Sequence, residues 1–260
     1  MAQEAFHFMG PAHLTVLALT LTLSIGLPIL ARNVKRPGLT KAIAWTMAGV
    51  MVTNELLWYV WALWIKDFSF MFFLQNFLPL HICWAGMYIG SFALITKKQL
   101  PYEIAFYWGI GGTLQAVVTP DLQTDFPSYE FIQFYLNHGL FVVAMVYATW
   151  GMQMRPRFKS TYLVIGITVV WMAFVGVMNT ILDSNYMFIC DPPLAASPFF
   201  FWPWPWYIGV LVAVGVVTVF LLYSIFPITD LVKSHFKEGG AGVQKKTGKS
   251  ATKPRAKDNS

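Results

Sequence analysis

Charge is scarce in this chain. Asp, Glu, Lys and Arg make up 12% of its 260 residues, about half the quarter found in soluble domains, so a water-solvated globule is a poor fit. Cysteine is nearly absent too. Cys83 and Cys190 are the two present, which rules out a disulfide framework and any cysteine-rich metal spacing. No stretch alternates polar and apolar residues as an outer-membrane barrel strand would. No internal repeat is evident, which weakens a transporter built from inverted repeats. The leader MAQEAFHFMGPA has no Lys or Arg, and no small-x-small site follows before Arg32. The first apolar stretch therefore reads as a retained helix rather than a cleaved signal.

Apolar mass fills the space left by charge. Hydrophobic residues are 57% of the chain and mean hydropathy is +0.55. Seven apolar stretches, near 13–31, 42–65, 76–96, 101–118, 131–151, 161–182 and 205–226, have the roughly 17–25 residues needed to cross a hydrocarbon core about 30 Å thick. The expected fold class is all-α, a polytopic membrane protein with seven transmembrane helices. Residues 1–12 form an external N-terminus and 13–226 the helical domain. Residues 227–260 form a basic, disordered cytoplasmic tail. The seventh helix is expected to end at Pro227 and Asp230.

Sidedness follows from the basic residues. Of the 18 Lys and Arg, all but Lys66 fall on alternate loops or the tail, at Arg32–Lys41, Lys97–Lys98, Arg155–Lys159 and beyond Lys233. Cytoplasmic loops attract Lys and Arg, so the N-terminus is expected outside and the C-terminus inside a cell inner membrane, crossed several times. The net charge of +6 thus marks loop sidedness and implies no nucleic-acid partner. Membrane lipids, and a small polar or lipid ligand, are the expected partners. Trp58, Trp61 and Trp64, with Trp202, Trp204 and Trp206, read as interface anchors. Gly86 and Gly90 read as a close-packing GxxxG.

Polar side chains within the stretches are few. They are Asn54 and Glu55, His81 and Cys83, Gln115, Gln133, Asn137 and His138, and Asn179. Each is expensive at membrane depth and should face the protein interior or a wet cavity. At about 1.5 Å per residue, Gln115 and Asn179 lie about 5 Å below the outer ends of their helices, His81 about 8 Å, His138 about 10 Å and Glu55 about 15 Å. All fall in the outer half, so one outward-facing pocket floored by Glu55 is expected. The run NYMFICDPP, containing Asn185 and Tyr186, is expected to dip back as a lid. No metal or cofactor is implied.

In a regular helix His81 and Cys83 point about 200° apart, so they make no dyad. Pro79 complicates that inference by removing one backbone hydrogen bond. If Cys83 is a nucleophile, His138 is the base at similar depth. A buried cysteine is more ordinarily an apolar filler, and a membrane histidine as often an interhelical hydrogen-bonding group.

Taken together, NE at 54–55, LPLHIC at 78–83, GGTLQAVVTPDL at 111–122, NHG at 137–139 and the pattern from Asn179 to Gly209 resemble the bacterial YwaF-like membrane proteins. Those are grouped with the eukaryotic transmembrane protein 164 family. The resemblance implies a lipid acyltransferase that works through a cysteine, a histidine and an acyl-enzyme, with His138 matching the catalytic histidine. The family cysteine directly precedes the histidine of the third helix, where this chain has Leu80; Cys83 lies three positions on. Two classes stand side by side: a thiol-dependent phospholipid acyltransferase using Cys83 and His138, or a non-catalytic heptahelical sensor or transporter component. In either, Asn54, Glu55, His81, Gln115, Gln133, Asn137, Asn179, Asn185 and Tyr186 line the binding site.

Overall fold

The computed structural model describes residues 5–193 and 201–249, with side chains described as far as Leu231. Among the described residues the regular elements are all helical, and the only strand-like feature is an isolated bridge between Ala5 and Thr124. They divide into two compact units that meet in sequence at Phe220 and Leu221.

Proline, glycine and left-handed caps punctuate the helices. α1 (Pro11–Val34) and α2 (Pro37–Val60) each open on a proline, whose missing N–H costs nothing in a first turn. Between them Lys35 takes a left-handed C-cap at φ 52°. α2 runs on through a π turn, Trp61–Ile65. The short α3 (Phe70–Asn76) is capped by Ser69, whose hydroxyl accepts from the Phe72 N–H at 3.2 Å. α4 (Ile82–Thr96), α5 (Gln99–Trp108), a π turn at Gly109–Thr113 and α6 (Leu114–Val118) follow. α7 (Tyr129–Val146) ends in a π turn at Tyr147–Gly151, and α8 (Phe158–Leu182) leads to a 3-10 turn at Tyr186–Phe188. α9 spans Trp206–Lys249.

Five of these helices are long and apolar enough to cross a bilayer: Pro11–Val34, Pro37–Ile65, Tyr129–Gly151, Phe158–Leu182 and Trp206–Leu231. The other two expected spans fall short for local reasons. Pro79 lacks an N–H and pushes the preceding residue into extended backbone. The third apolar stretch therefore breaks at 77–81 and its helix starts only at Ile82. The 99–118 rod carries Gln99, Glu103 and Gln115 among its apolar residues, and so is less apolar than the five. At the far end, α9 continues helical through Pro227 rather than stopping there. A proline inside a helix removes one backbone bond and can be carried by its neighbours.

In the first unit α7 is the central helix, with 72% of its apolar window buried against 11% for α1. It is wrapped by α1, α2, α4 and the Gly109–Thr113 turn. Gly86, Gly90 and Gly109 admit the fully buried Phe141 ring: a Cβ on Gly90 would stand 2.7 Å from that ring. Bulkier residues would push α7 outward.

Contacts between loops define two ends. At one, Gln99 Nε2 donates to the Arg155 carbonyl at 2.7 Å, and the Tyr147 hydroxyl donates to the Thr40 carbonyl at 3.0 Å. At the other, the Phe6 N–H donates to Gln123 O at 3.2 Å, and Lys66 pairs with Glu130 at 3.4 Å. Gln75 Nε2 also donates there, to the Leu182 carbonyl at 2.9 Å.

Candidate functional site

The site is built where α2 crosses α7. Ser128 starts α7 by accepting from the Phe131 N–H at 3.2 Å. Gln133 and Asn137, four residues on, then share one face. Asn54 Nδ2 donates to the Gln133 carbonyl at 3.1 Å and to Asn137 Oδ1 at 2.9 Å. Asn137 Nδ2 and Gln133 Nε2 both donate to Glu55 Oε2, the latter at 3.2 Å. All four residues are buried, Glu55 completely. Glu55 Oε1 has no partner at hydrogen-bond distance; the Tyr59 hydroxyl, which Tyr88 approaches at 3.4 Å, lies close by. A carboxylate met only by amides and phenols, with one oxygen spare, can still accept another donor.

Asn137 also lines a crevice between α4 and α7. The crevice is walled by Cys83, Trp84 and Met87 from α4, by Thr113, and by His138 and Phe141 from α7. It is too tight to admit a water-sized sphere. His138 stacks on Phe134, ring centroids 4.1 Å apart, and its Nδ1 lies 3.0 Å from the Phe134 carbonyl. Because a carbonyl only accepts, Nδ1 carries the hydrogen and Nε2 of the neutral ring keeps its lone pair. A histidine held in that tautomer, lining the same crevice as a thiol, has the form of a base beside a nucleophile. Cys83 and Cys190 are both free thiols.

Leu80 lies away from the crevice lining. It packs with Val175 and Tyr186, and its carbonyl accepts from Trp171 Nε1 at 3.1 Å. His81 goes with it. It stands outside the helix as the α4 N-cap, in extended backbone, so the 200° separation from Cys83 expected of a regular helix does not apply. Its Nδ1 accepts from the Met187 N–H at 3.2 Å, among the rings of Trp84, Tyr186 and Phe188.

The 183–191 loop folds onto this end of the protein. Asn179 clamps it, accepting from Ser184 Oγ and the Tyr186 N–H and donating to the Tyr186 carbonyl. Asn185 accepts from the N–H groups of Cys190 and Asp191 and donates to the Asp191 carbonyl. The buried Tyr186 hydroxyl donates to the Leu74 carbonyl and accepts from the Leu78 N–H. Asn179 and Asn185 thus have their polar groups spent on the loop itself, and the Tyr186 hydroxyl ties that loop to Leu74 and Leu78. Gln115 stands exposed on α6.

The expected site residues fall into two hydrogen-bonded groups, the Glu55 network with its adjoining thiol crevice and the loop clamp around His81, and Trp84 joins them, walling the crevice and packing its ring against His81 at 5.3 Å. Helical period alone does not give this arrangement, because His81 precedes α4 as its N-cap.

Two buried ionisable residues, His13 and Glu103, lie outside the set expected from sequence. His13 has both ring nitrogens engaged, Nδ1 accepting from the Met9 N–H at 3.1 Å and Nε2 donating to the Val117 carbonyl at 3.1 Å. Glu103 is gripped by the Arg157 guanidinium, two bonds of 2.9 Å, and by Gln99 at 2.8 Å. The available signal for Glu103 was an acid set into an apolar stretch. Among the described residues, no three His, Cys, Asp or Glu side chains are grouped so as to hold a metal ion.

Apolar helices of spanning length around a buried polar centre define a multi-pass membrane protein. Residues 8–223 match the TMEM164 family, and the chain belongs to it. An uncharacterized protein of Treponema pallidum (strain Nichols) is 27% identical over 207 residues, covering 75% of this chain and 79% of that protein. No solved structure matches.

Proposed function

We propose that this chain is a thiol-dependent phospholipid acyltransferase of the cell inner membrane. It crosses that membrane seven times, with its N-terminus outside and C-terminus in the cytoplasm. One observation carries the chemistry: Cys83 of α4 and His138 of α7 line one crevice, and His138 has its Nε2 lone pair unspent. His138 accepts the Sγ proton as the sulfur attacks a phospholipid ester carbonyl. The lysolipid oxygen leaves with that proton, and a thioester remains on Cys83. A second lysolipid hydroxyl then attacks the thioester, His138 again taking and returning the proton. Asn137, at the crevice wall, ties this step to Glu55.

Seven crossings find support in the loop contacts. The 31–40 and 151–153 segments border a common cleft, and Gln99 bonds Arg155, so three basic loops gather at one end. In this reading α4 and the 99–118 rod are the two remaining crossings between the ends.

A non-catalytic binding protein is the second reading. It is favoured by the Glu55 network, a more completely built polar centre than the crevice beside it.

Purified protein in nanodiscs with a mass-labelled acyl donor separates the readings. Wild type is expected to show the acyl mass on Cys83, formed about 10²–10⁴-fold more slowly in His138→Ala. Unchanged acyl exchange in Cys83→Ser would sink the acyltransferase reading.

A further inference from the structure

We infer that a cleft at the basic end of the first unit, between the α1–α2 turn and the end of the α7 π turn, binds the phosphate-bearing headgroup of an anionic phospholipid. The cleft encloses about 500 Å³, and Arg32, Asn33, Lys35, Thr40 and Gln153 are among the residues that line it. It contains two cations and no carboxylate. Among the described residues, neither Arg32 nor Lys35 has an ion pair or side-chain hydrogen bond, whereas Arg157 and Lys66 have each found an acid.

Basic residues at a helix C-terminus ordinarily complement the carbonyls there. That accounts for a charge near Lys35, which caps α1, but not for a cavity with two unpaired cations facing it. The floor is rigid, because the Tyr147 hydroxyl holds the Thr40 carbonyl at 3.0 Å. α2 also begins at this cleft, with no acid in its first turn and no side-chain cap, so its positive end offsets the negative ends of α1 and the α7 π turn and leaves the two cations to set the field. The exposed apolar side chains Ile29, Leu30 and Val34 of α1 stand next to the cationic residues in sequence. Apolar flank beside a cationic cleft suits a lipid, whose tails run along the helix while its phosphate sits in the cleft. Free phosphate shares the headgroup chemistry but has no use for that flank.

The experiment is native mass spectrometry of the full chain released from nanodiscs containing phosphatidylglycerol and phosphatidylcholine with identical tails. Wild type is expected to retain phosphatidylglycerol preferentially. Each cation removed is expected to weaken retention about fivefold, so K35Q loses about fivefold and R32Q/K35Q about thirtyfold. The equally discharged K97Q/K98Q is expected to retain the preference. Equal loss in K97Q/K98Q, or equal retention of the two lipids by wild type, would overturn the site. Displacement of the lipid by millimolar inorganic phosphate, at no more than the level of a short-chain phosphatidylglycerol, would overturn the lipid as its occupant.

Discussion

Among the described residues two glutamates are fully buried, and they are treated in opposite ways. Glu103 meets a guanidinium fork, an amide and a backbone N–H, so both oxygens are spent. Glu55 meets amides and a nearby phenol, and its Oε1 has no hydrogen-bond partner. A paired and saturated carboxylate holds elements together and has nothing left to offer a ligand. One held only by neutral donors, beside a crevice, retains acceptor capacity for chemistry or binding. Burial alone does not mark function; the remaining valence does.

Substitutions test that contrast. Arg157→Ala leaves Glu103 buried without its cation and is expected to cause the largest loss of thermal stability in detergent. Replacing both partners, as Glu103→Leu with Arg157→Met, is expected to recover most of it. If the double variant is as unstable as the single, the tie is not the ion pair. Asn137→Ala leaves Asn54 Nδ2 with the Gln133 carbonyl as its one acceptor and takes a donor from Glu55, at a cost of about 1–3 kcal/mol by thermal unfolding. Glu55→Gln keeps an acceptor for the same amides and is expected to change stability by less than about 1 kcal/mol. Its effect on acyl transfer or ligand retention is expected to be far larger than its effect on unfolding. A large stability loss from Glu55→Gln would erase the distinction between the two glutamates.

The smallest effect belongs to the end of the first unit where His7 meets Asp125. Burial raises the Asp125 carboxyl, but the Phe126 and His7 N–H groups and the His7 ring outweigh it and hold it below the usual range. The folded value lies under the unfolded one, so the contribution is whole above the ordinary carboxyl range. It vanishes as pH falls through the lowered folded value. A thermal-unfolding series in acid should show this slope in wild type and lose it in Asp125→Asn. Exposure of His7 keeps the slope shallow.

Much of this arrangement can be read from composition and spacing. Apolar length located every long helix, and Gln133 and Asn137, four apart, announce one polar face. Their partners are not legible, because Asn54 and Glu55 are adjacent on α2 and only packing decides which helix both will meet. The start of α4 depended on Pro79, whose effect was visible as a complication but not as a displaced histidine. Glu103 and Arg157 are 54 positions apart, and nothing in either local sequence announces the packing of α5 against the start of α8 that brings them together. The π turns leave none either, since each differs from α geometry by a single residue per turn.

Those π turns bear on how this chain tolerates changes in length. Each of Trp61–Ile65, Gly109–Thr113 and Tyr147–Gly151 holds one residue more than an α turn needs. Deleting one residue there restores α geometry and leaves the following segment facing the same neighbours. The same deletion in mid-α4 would swing everything beyond it by about 100°. Gaps between this sequence and its relatives should therefore collect at these three places.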